Sequence, residues 1–473
     1  MLWIAFRLPQ LPLEIFLRGM PTPEPFAVAA NQQVFACDQK AARRGVQPGM
    51  SLPAAQALSR QLIIRQRDPA AETEALLGLA AWAMQFTPAV ALQFPDMLLL
   101  EVSGSLKLLG GLSAIETCMR SQLAELGYSP RLASAPTATA ACWMARLGAE
   151  SHCTESSLWR TVAALPISVL DKETHEGLQA IGTATLADVL ALPRDGLARR
   201  FGQPLLDDMD RALGRLPEAR TCFQPPGKFH SCIELAMEVR QSEALIFAAR
   251  RLFTQLAGFL AARACGVQRM VLKLVHRESI TPVIVSMLSP GRDALHFTLL
   301  LREQLGRISL GEPVQSLSLT ADELVPLAEE NLALFGGNAD TAAQSWQQLV
   351  DRLRSRLGKA SVQGISNAED HRPEHCSVAS EPGTRQLELE FAERPFWLLP
   401  VPRPLPEVGA VPHHEGPLEL LAGPERIESG WWDGQEALRD YFVARSPTQA
   451  LLWIYRERRP SRLGQWYLHG LFS

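Results

Sequence analysis

Hydrophobic positions fall into three rhythms along this 473-residue chain. Continuous apolar runs at 2–8 and 97–102 predict buried strands. The first is stopped by Pro9, and the second runs into a Ser/Gly turn and a further apolar segment. Helical spacing predicts helices over 70–86 and 112–126, and a short strand and helix cover 130–147. Strand, helix, strand, strand, helix, strand is the split βαβ pattern. Segment 34–64 is expected to be a small helical insert, broken by Gly45, Pro48 and Gly49, with Ser51 placed to cap the helix carrying Ala54–Leu58. Residues 160–222 read as helical. Within them AIGTATLADVLALP sets Gly182 between two helical stretches. Two readings stand there: an ordinary turn between packed helices, or a helix-hairpin-helix whose backbone N–H groups meet a DNA phosphate.

Alternation returns in a second α/β module at 231–320. Ile233, Leu235, Met237 and Val239 alternate with Glu234, Ala236, Glu238 and Arg240, which predicts a half-buried strand. A helix over 241–264 carries Leu245, Leu252, Phe253, Leu256 and Phe259 on one stripe. The next strand sets Met270, Leu272 and Leu274 on one face and Arg269, Lys273 and Arg277 on the other. A basic strand face suits DNA phosphates. Glu234 and Glu238 on that face would oppose an anion, and a merely solvated face is the other reading. A helix at 342–357 follows, with Trp346, Leu349, Leu353 and Leu357 at helical spacing. Pro382, Pro395, Pro400, Pro402, Pro404, Pro406 and Pro412 then predict a stiff polyproline-like linker. The segment 417–473 holds Trp431, Trp432, Trp453 and Trp466 and three of the chain's four tyrosines, so it reads as a folded module or a partner surface.

The length suggests about three domains or more. A net charge of −4 excludes a globally basic chain, so any nucleic-acid contact rests on local patches. Only six of the basic residues are Lys. The eight cysteines include no C-x-x-C, which indicates neither a zinc site nor a disulfide framework. The apolar N-terminus is interrupted by Arg7, Pro9, Pro12 and Glu14, against a signal peptide or a membrane span, and the expected compartment is the cytoplasm.

Several stretches carry a specific resemblance. VFACDQKAARRGVQPGMSLPAAQAL, with its G-V-x-x-G-M core, resembles the fingers of Y-family translesion polymerases, and FPDMLLLEVSGSLKLLGG resembles their palm motif. HRPE (371–374), GPERIESGWWDG (423–434), RDYFVA (439–444) and WYLHGLF (466–472) resemble the C-terminal signatures of one branch, the ImuB proteins. The resemblance implies an α+β multidomain fold. A polymerase-like right hand would comprise a palm over 1–160 with a fingers insert at about 25–75, a helical thumb over 161–227 and an α/β little finger over 228–322. A clamp-binding peptide and helical segment (323–375), a Pro-rich linker (376–416) and a small aromatic-rich partner-binding region (417–473) would follow.

Y-family enzymes clamp two divalent metals, about 3.5–4 Å apart, between acids. The family's first Asp falls at Ala5, a second acid of that strand at Arg7, and the Asp-Glu pair at Asp96 and Met97. One carboxylate in three remains, too little anionic charge for a hard, strongly hydrated cation. The triphosphate contacts fall at Gln39, Ala42 and Ala138. The resemblance therefore implies an inactive homologue, with Asp96 vestigial, no catalytic residue and no metal or cofactor. The alternative is an active Y-family translesion polymerase with an unusual acid set. If the palm is inert, function lies in binding. Asn331, Leu332, Ala333, Leu334 and Phe335 resemble the peptide that docks on the bacterial sliding clamp, the DNA polymerase III β subunit. Gln386, Leu387, Leu389 and Phe391 form a second candidate. Trp431, Trp432 and Trp466 are candidate partner-binding residues, and Gly182, Arg269, Lys273 and Arg277 candidate DNA-binding residues. The branch resemblance further implies damage-induced mutagenesis with a RecA-like partner, ImuA, and an error-prone C-family DNA polymerase.

Overall fold

The structure, a computed structural model, describes residues 1–473 except 20–21, 149–150, 309, 328–338, 385–393 and 473. It is a mixed α+β protein of two compact units, Met1–Arg356 and Leu357–Ser473.

The first unit is built on β1 (Trp3–Arg7), which is followed by α1 (Leu11–Leu17). An insert supplies β2 (Phe26–Ala30), β3 (Gln33–Cys37), α2 (Gln39–Arg43), α3 (Leu52–Leu58) and β4 (Ile63–Gln66). Then come α4 (Pro69–Ala83), β5 (Val90–Gln93), β6 (Met97–Glu101), α5 (Leu112–Leu126), β7 (Arg131–Ala135), α6 (Ala138–Leu147) and β8 (Ser151–His152). The palm-like sheet runs β5-β6-β1-β7-β8, with β1 antiparallel to both β6 and β7. Ile4, Phe6, Leu98 and Leu100 pack with α4 and α5. Ala5, Leu99, Ala133 and Ala135 pack on the other side with α6 and the helices that follow. Burial on both faces explains why β1 and β6 read as continuous apolar runs.

The insert differs from the expected all-helical segment. Its core is a sheet in the order β3-β2-β4, with β4 parallel to β2. Asn31 and Gln32, both at positive φ, close the β2–β3 hairpin, as two-residue turns require. Ser51 does precede α3, but its side chain makes no capping bond.

The thumb-like helices are α7 (Leu158–Ala163), α8 (Lys172–Gln179), α9 (Leu186–Leu190), α10 (Arg194–Phe201) and α11 (Gln203–Ala212). The segment 213–228 that follows α11 is not helical. It runs along the palm, where the Phe223 amide donates to Val90 O at 2.7 Å and Arg220 to the Gln93 amide oxygen at 2.8 Å.

The second α/β module contains β9 (Phe229–Val239), α12 (Ser242–Ala261), β10 (Cys265–Val275), β11 (Ile280–Gly291), α13 (Ala294–Leu305), β12 (Val314–Ala321) and β13 (Leu324–Pro326). Its sheet runs β11-β10-β12-β9, and α12 and α13 fill one face with the predicted Leu245, Leu252, Phe253, Leu256 and Phe259. By length and composition α12 could cross a membrane, yet those side chains form the core here. Met237 departs from the expected alternation. A register shift opposite 314–316 buries Ala236 and leaves Met237 40% exposed. Helices α4 and α12 approach so closely that a Cβ on Gly258 would stand 2.3 Å from Trp82 Cδ1. Helix α14 (Ala339–Leu357) closes this unit.

The second unit contains β14 (Gly364–Asn367), β15 (Ser377–Ser380), β16 (Trp397–Leu405), β17 (Glu407–Val408), β18 (Val411–Pro412), β19 (Glu419–Ser429), β20 (Ala437–Arg445), β21 (Leu451–Glu457) and β22 (Trp466–Leu471). Its main sheet runs β16-β22-β21-β20-β19. The expected Pro-rich linker over 376–416 is corrected accordingly, because β15 and β16 lie within it. Pro400, Pro402 and Pro404 belong to β16, an edge strand, where a residue without an N–H is tolerated. One sheet face carries Leu452, Ile454, Trp466 and Leu468, the other Tyr441, Trp453, Tyr455 and Tyr467.

Candidate functional site

The residues that the sequence resemblance aligns with a metal site are engaged in contacts within the chain. Ala5 lies opposite Leu99 and Arg7 opposite Met97 in the β1–β6 register. Ala5 and Met97 are buried in one core cluster with Leu99 and Ala133. Asp96, just before β6, accepts from Arg7 Nε at 2.7 Å, while its carbonyl accepts the Leu8 amide at 2.7 Å. The one remaining carboxylate is thus engaged by the cation that replaces its neighbour. Other acids stand elsewhere. Glu14 accepts the Ser129 amide at 2.8 Å, and Glu101, at the far end of β6, accepts Leu2 N at 3.3 Å. Among the described residues no group of three or more His, Cys, Asp or Glu could hold a metal ion.

The residues that the resemblance aligns with triphosphate contacts carry no cation. Gln39 and Ala42 are exposed on α2. Ala138 is buried as the first residue of α6. Glu218 occupies that helix start, accepting Thr139 N at 3.0 Å and Thr139 Oγ1 at 2.8 Å. A carboxylate from the chain itself sits where the helix dipole favours an anion. Nothing in the sequence announces a contact across so long a separation.

The α8–α9 hairpin has the expected Gly turn, with Gly182 at φ 82°. Its amides are taken: Gly182 N donates to Gln179 O and Thr183 N to Leu178 O, and Ala184 N and Thr185 N donate to Asp188 at 3.0 and 2.9 Å. Those bonds hold the Asp188 carboxyl below its ordinary range. A phosphate at this turn would have to displace Asp188.

Arg269 and Lys273 are exposed on the open face of the second sheet, whereas Arg277 lies past the end of β10, in the loop to β11. Lys273 is aligned with Ser318, and the next row on that face is Val275, Ser316 and Glu234. The acid and the base therefore share the face one row apart.

In the second unit, residues from four separated sequence segments converge. The Arg372 guanidinium donates to Asp370 and Asp433, both at 2.7 Å, and to Gln435 O at 3.1 Å. It thereby holds the far side of the Trp431-Trp432 loop. Glu374 accepts from Arg439 at 2.9 Å. Arg439 reaches the Tyr441 hydroxyl at 3.0 Å, and that hydroxyl lies 2.7 Å from His469 Nδ1. Tyr441 stacks on Trp453 with ring centroids 4.0 Å apart. Burial holds the His469 pKa down at about 4, with Glu374 pulling it up and Arg439 down. Trp431 and Trp432 are 76% and 59% exposed, their rings edge-to-face at 5.5 Å. Trp466, expected on the same partner surface, is instead 6% exposed on the opposite sheet face, against Phe442. Both candidate clamp peptides, 331–335 and 386–391, lie outside the described residues.

The family described as impB/mucB/samB matches residues 16–146. The chain is 29% identical over 458 residues to Protein ImuB of Caulobacter vibrioides strain NA1000 / CB15N, covering 91% of this chain and 100% of the relative. The same values hold for Protein ImuB of strain ATCC 19089 / CIP 103742 / CB 15. The ImuB resemblance read from the sequence is borne out at this level. Among solved structures, a Dbh ternary complex is 15% identical over 69% of this chain and 100% of its own, with a TM-score of 0.40. DinB from Sulfolobus solfataricus is 14% identical with the same coverages and a TM-score of 0.39. The matched residues cover the insert and strands β5, β6 and β7 of the sheet, and they include Asp96 but not Arg7.

Proposed function

We propose that this chain is a non-catalytic, polymerase-like adaptor in damage-induced mutagenic translesion DNA synthesis. On this reading it acts in the cytoplasm and links the sliding clamp to the RecA-like partner ImuA and an error-prone C-family DNA polymerase. The observation that carries the proposal is the Arg7–Asp96 ion pair at 2.7 Å, beside buried Ala5 and Met97. Two-metal phosphoryl transfer needs clustered, accessible carboxylates, and the single acid here is neutralised by its neighbour. Binding then becomes the function. Trp431 and Trp432 would serve as aromatic anchors for a protein partner, and 331–335, or else 386–391, as the clamp peptide. Arg269, Lys273 and Arg277, with the Gly182 turn, would provide the DNA contacts.

Two measurements test this. Primer extension with Mg²⁺ or Mn²⁺ is expected to show no synthesis. Metal-dependent synthesis abolished by Asp96→Ala would establish the active-polymerase alternative instead. Sliding-clamp binding is expected to be lost in Leu334→Ala/Phe335→Ala and kept in Leu389→Ala/Phe391→Ala. The reverse pattern would move the anchor to 386–391, and a wild-type chain that does not bind the clamp would remove that part of the proposal.

A further inference from the structure

Within the first compact unit, the second α/β module is keyed onto helices α1 and α4 of the palm-like domain. Gly78 lies inside α4, and a Cβ there would overlap Gln255 Nε2 of α12. Gly258 lies inside α12, and a Cβ there would overlap the Trp82 ring of α4. Each helix thus offers a glycine to the other's large side chain. Glycine weakens a helix interior, so two glycines at one helix crossing have a packing reason. Neither large side chain can move aside. Trp82 is fully buried, and Gln255 is buried with its amide oxygen accepting from the Ser231 hydroxyl at 3.0 Å. Beside the crossing, a Cβ on Gly19, just past α1, would stand 2.7 Å from Glu234 O of β9.

Hydrogen bonds and apolar cores cross the same seam. Arg18 donates to Cys232 O at 3.0 Å and Arg65 to Ala236 O at 3.2 Å. Ala81 of α4 belongs to the module's core, Ala236 of β9 belongs to the palm's, and Phe223 packs against both. Domains joined by a linker move relative to one another by default, unless their interface is large and apolar. Here the connecting segment 213–228 is itself bonded to the palm at Val90 and Gln93.

We propose that the α4–α12 crossing is a lock that holds the second module on the palm-like domain in one arrangement, with or without nucleic acid. The module then does not swing shut on a bound strand. Its exposed Arg269 and Lys273 keep one fixed position relative to the palm-like sheet. Small-to-large complementarity makes the lock specific, because a side chain at either glycine would drive the two helices apart. The lock is independent of the partner assignments above.

A distance between two nitroxide labels on the full-length chain tests it. The labels go on Lys107→Cys in the palm-like domain and Glu323→Cys in the module, both exposed positions, with the exposed Cys118 and Cys222 replaced by Ser. The locked chain is expected to give one narrow distance distribution, and excess duplex DNA is expected not to shift it. Gly78→Leu is expected to broaden and shift the distribution, with helix content by circular dichroism at the wild-type level. Gly196→Leu, in α10 with open space around it, is expected to leave the distribution unchanged. A wild-type distribution that is broad, or that moves when DNA is added, overturns the lock. So does a folded Gly78→Leu chain with the wild-type distribution, since something other than the crossing would then hold the module. If Gly78→Leu loses its helix content, Gly258→Ala, the smaller intrusion at the same crossing, takes its place with the same two readings.

Discussion

The buried histidine of the C-terminal network makes a quantitative prediction about pH. His469 is 2% exposed, faces the Tyr441 hydroxyl and lies parallel to the Trp453 ring. Its pKa is held down at about 4 by burial, against an ordinary 6.5. In the unfolded chain it returns to the ordinary value, so between these pH values the unfolded state binds the extra proton. Stability is therefore complete well above pH 6.5 and falls as pH drops toward 4. From pH 7 to pH 5 the loss works out at about 2 kcal/mol, roughly twentyfold in the opening equilibrium. Glu374 adds a loss only at lower pH. Burial pushes its carboxyl up, but Arg439 beside it holds it below its ordinary value. Hydrogen exchange of peptides covering Ala437–Arg445 and Trp466–Leu471, referred to intrinsic rates at each pH, reads the opening equilibrium directly. His469→Asn keeps an acceptor near Tyr441 and removes the titration, so its protection is expected to be nearly flat between pH 7 and 5. An equal fall in protection for wild type and variant would refute the reasoning, as would a histidine that titrates near 6.5 in the folded protein by NMR.

Three further outcomes are expected. Burial pushes Glu14 up to about 7, against the pull of Ser129 and Arg18; a raised folded pKa favours the fold at low pH and is lost as pH rises through 7, so Glu14→Gln should raise the melting temperature at pH 8 and not at pH 4. Gly258→Ala would place its Cβ 2.3 Å from the buried Trp82 ring and should cost about 1–3 kcal/mol as overpacking, read as a lower urea midpoint. Trp431→Ala/Trp432→Ala should leave the melting temperature unchanged while weakening partner binding by about 2 kcal/mol or more in a titration.

The local elements were the legible part of the sequence. Helix α5 matches its expected span residue for residue, its helical period ending at Gly127 in the left-handed conformation. The segment 34–64 reads as helical in sequence, with Ser51 placed to cap the helix carrying Ala54–Leu58. What makes it a sheet is the parallel pairing of Phe26–Ala30 with Ile63–Gln66, a non-local contact that periodicity does not report. The prolines of 400–404 correctly signalled extended backbone, but an edge strand and a polyproline helix share much of their φ range. The apolar Ala5 and Met97, at positions where the resemblance places acids, are legible in the sequence. That Arg7 engages Asp96, and Glu218 the start of α6, was not, since both contacts join distant positions. Trp431 and Trp466 likewise look equivalent in sequence. A turn exposes one, while the inward side of a sheet buries the other.

Three positions where the sequence resemblance places an external ion have an internal partner: Arg7 on Asp96, Glu218 at the start of α6, and Asp188 at the start of α9. A partner tethered in the same chain competes at high effective concentration, so phosphate or metal must displace it to bind. The cationic part of the proposed DNA contact is Arg269, Lys273 and Arg277, with Glu234 in the neighbouring row opposing it. Each phosphate neutralised on duplex DNA contributes about −0.9 to the slope of log affinity against log salt. Three cations therefore predict a slope no steeper than about −3, well short of a protein gripping its duplex through many lysines and arginines. Fluorescence anisotropy with duplex DNA over a range of salt concentrations measures it. A slope near −6 would mean that other basic residues carry the contact and that the sheet face is not the principal site. A slope near −3, reduced by about 1 in Lys273→Ala, would place the DNA on that face.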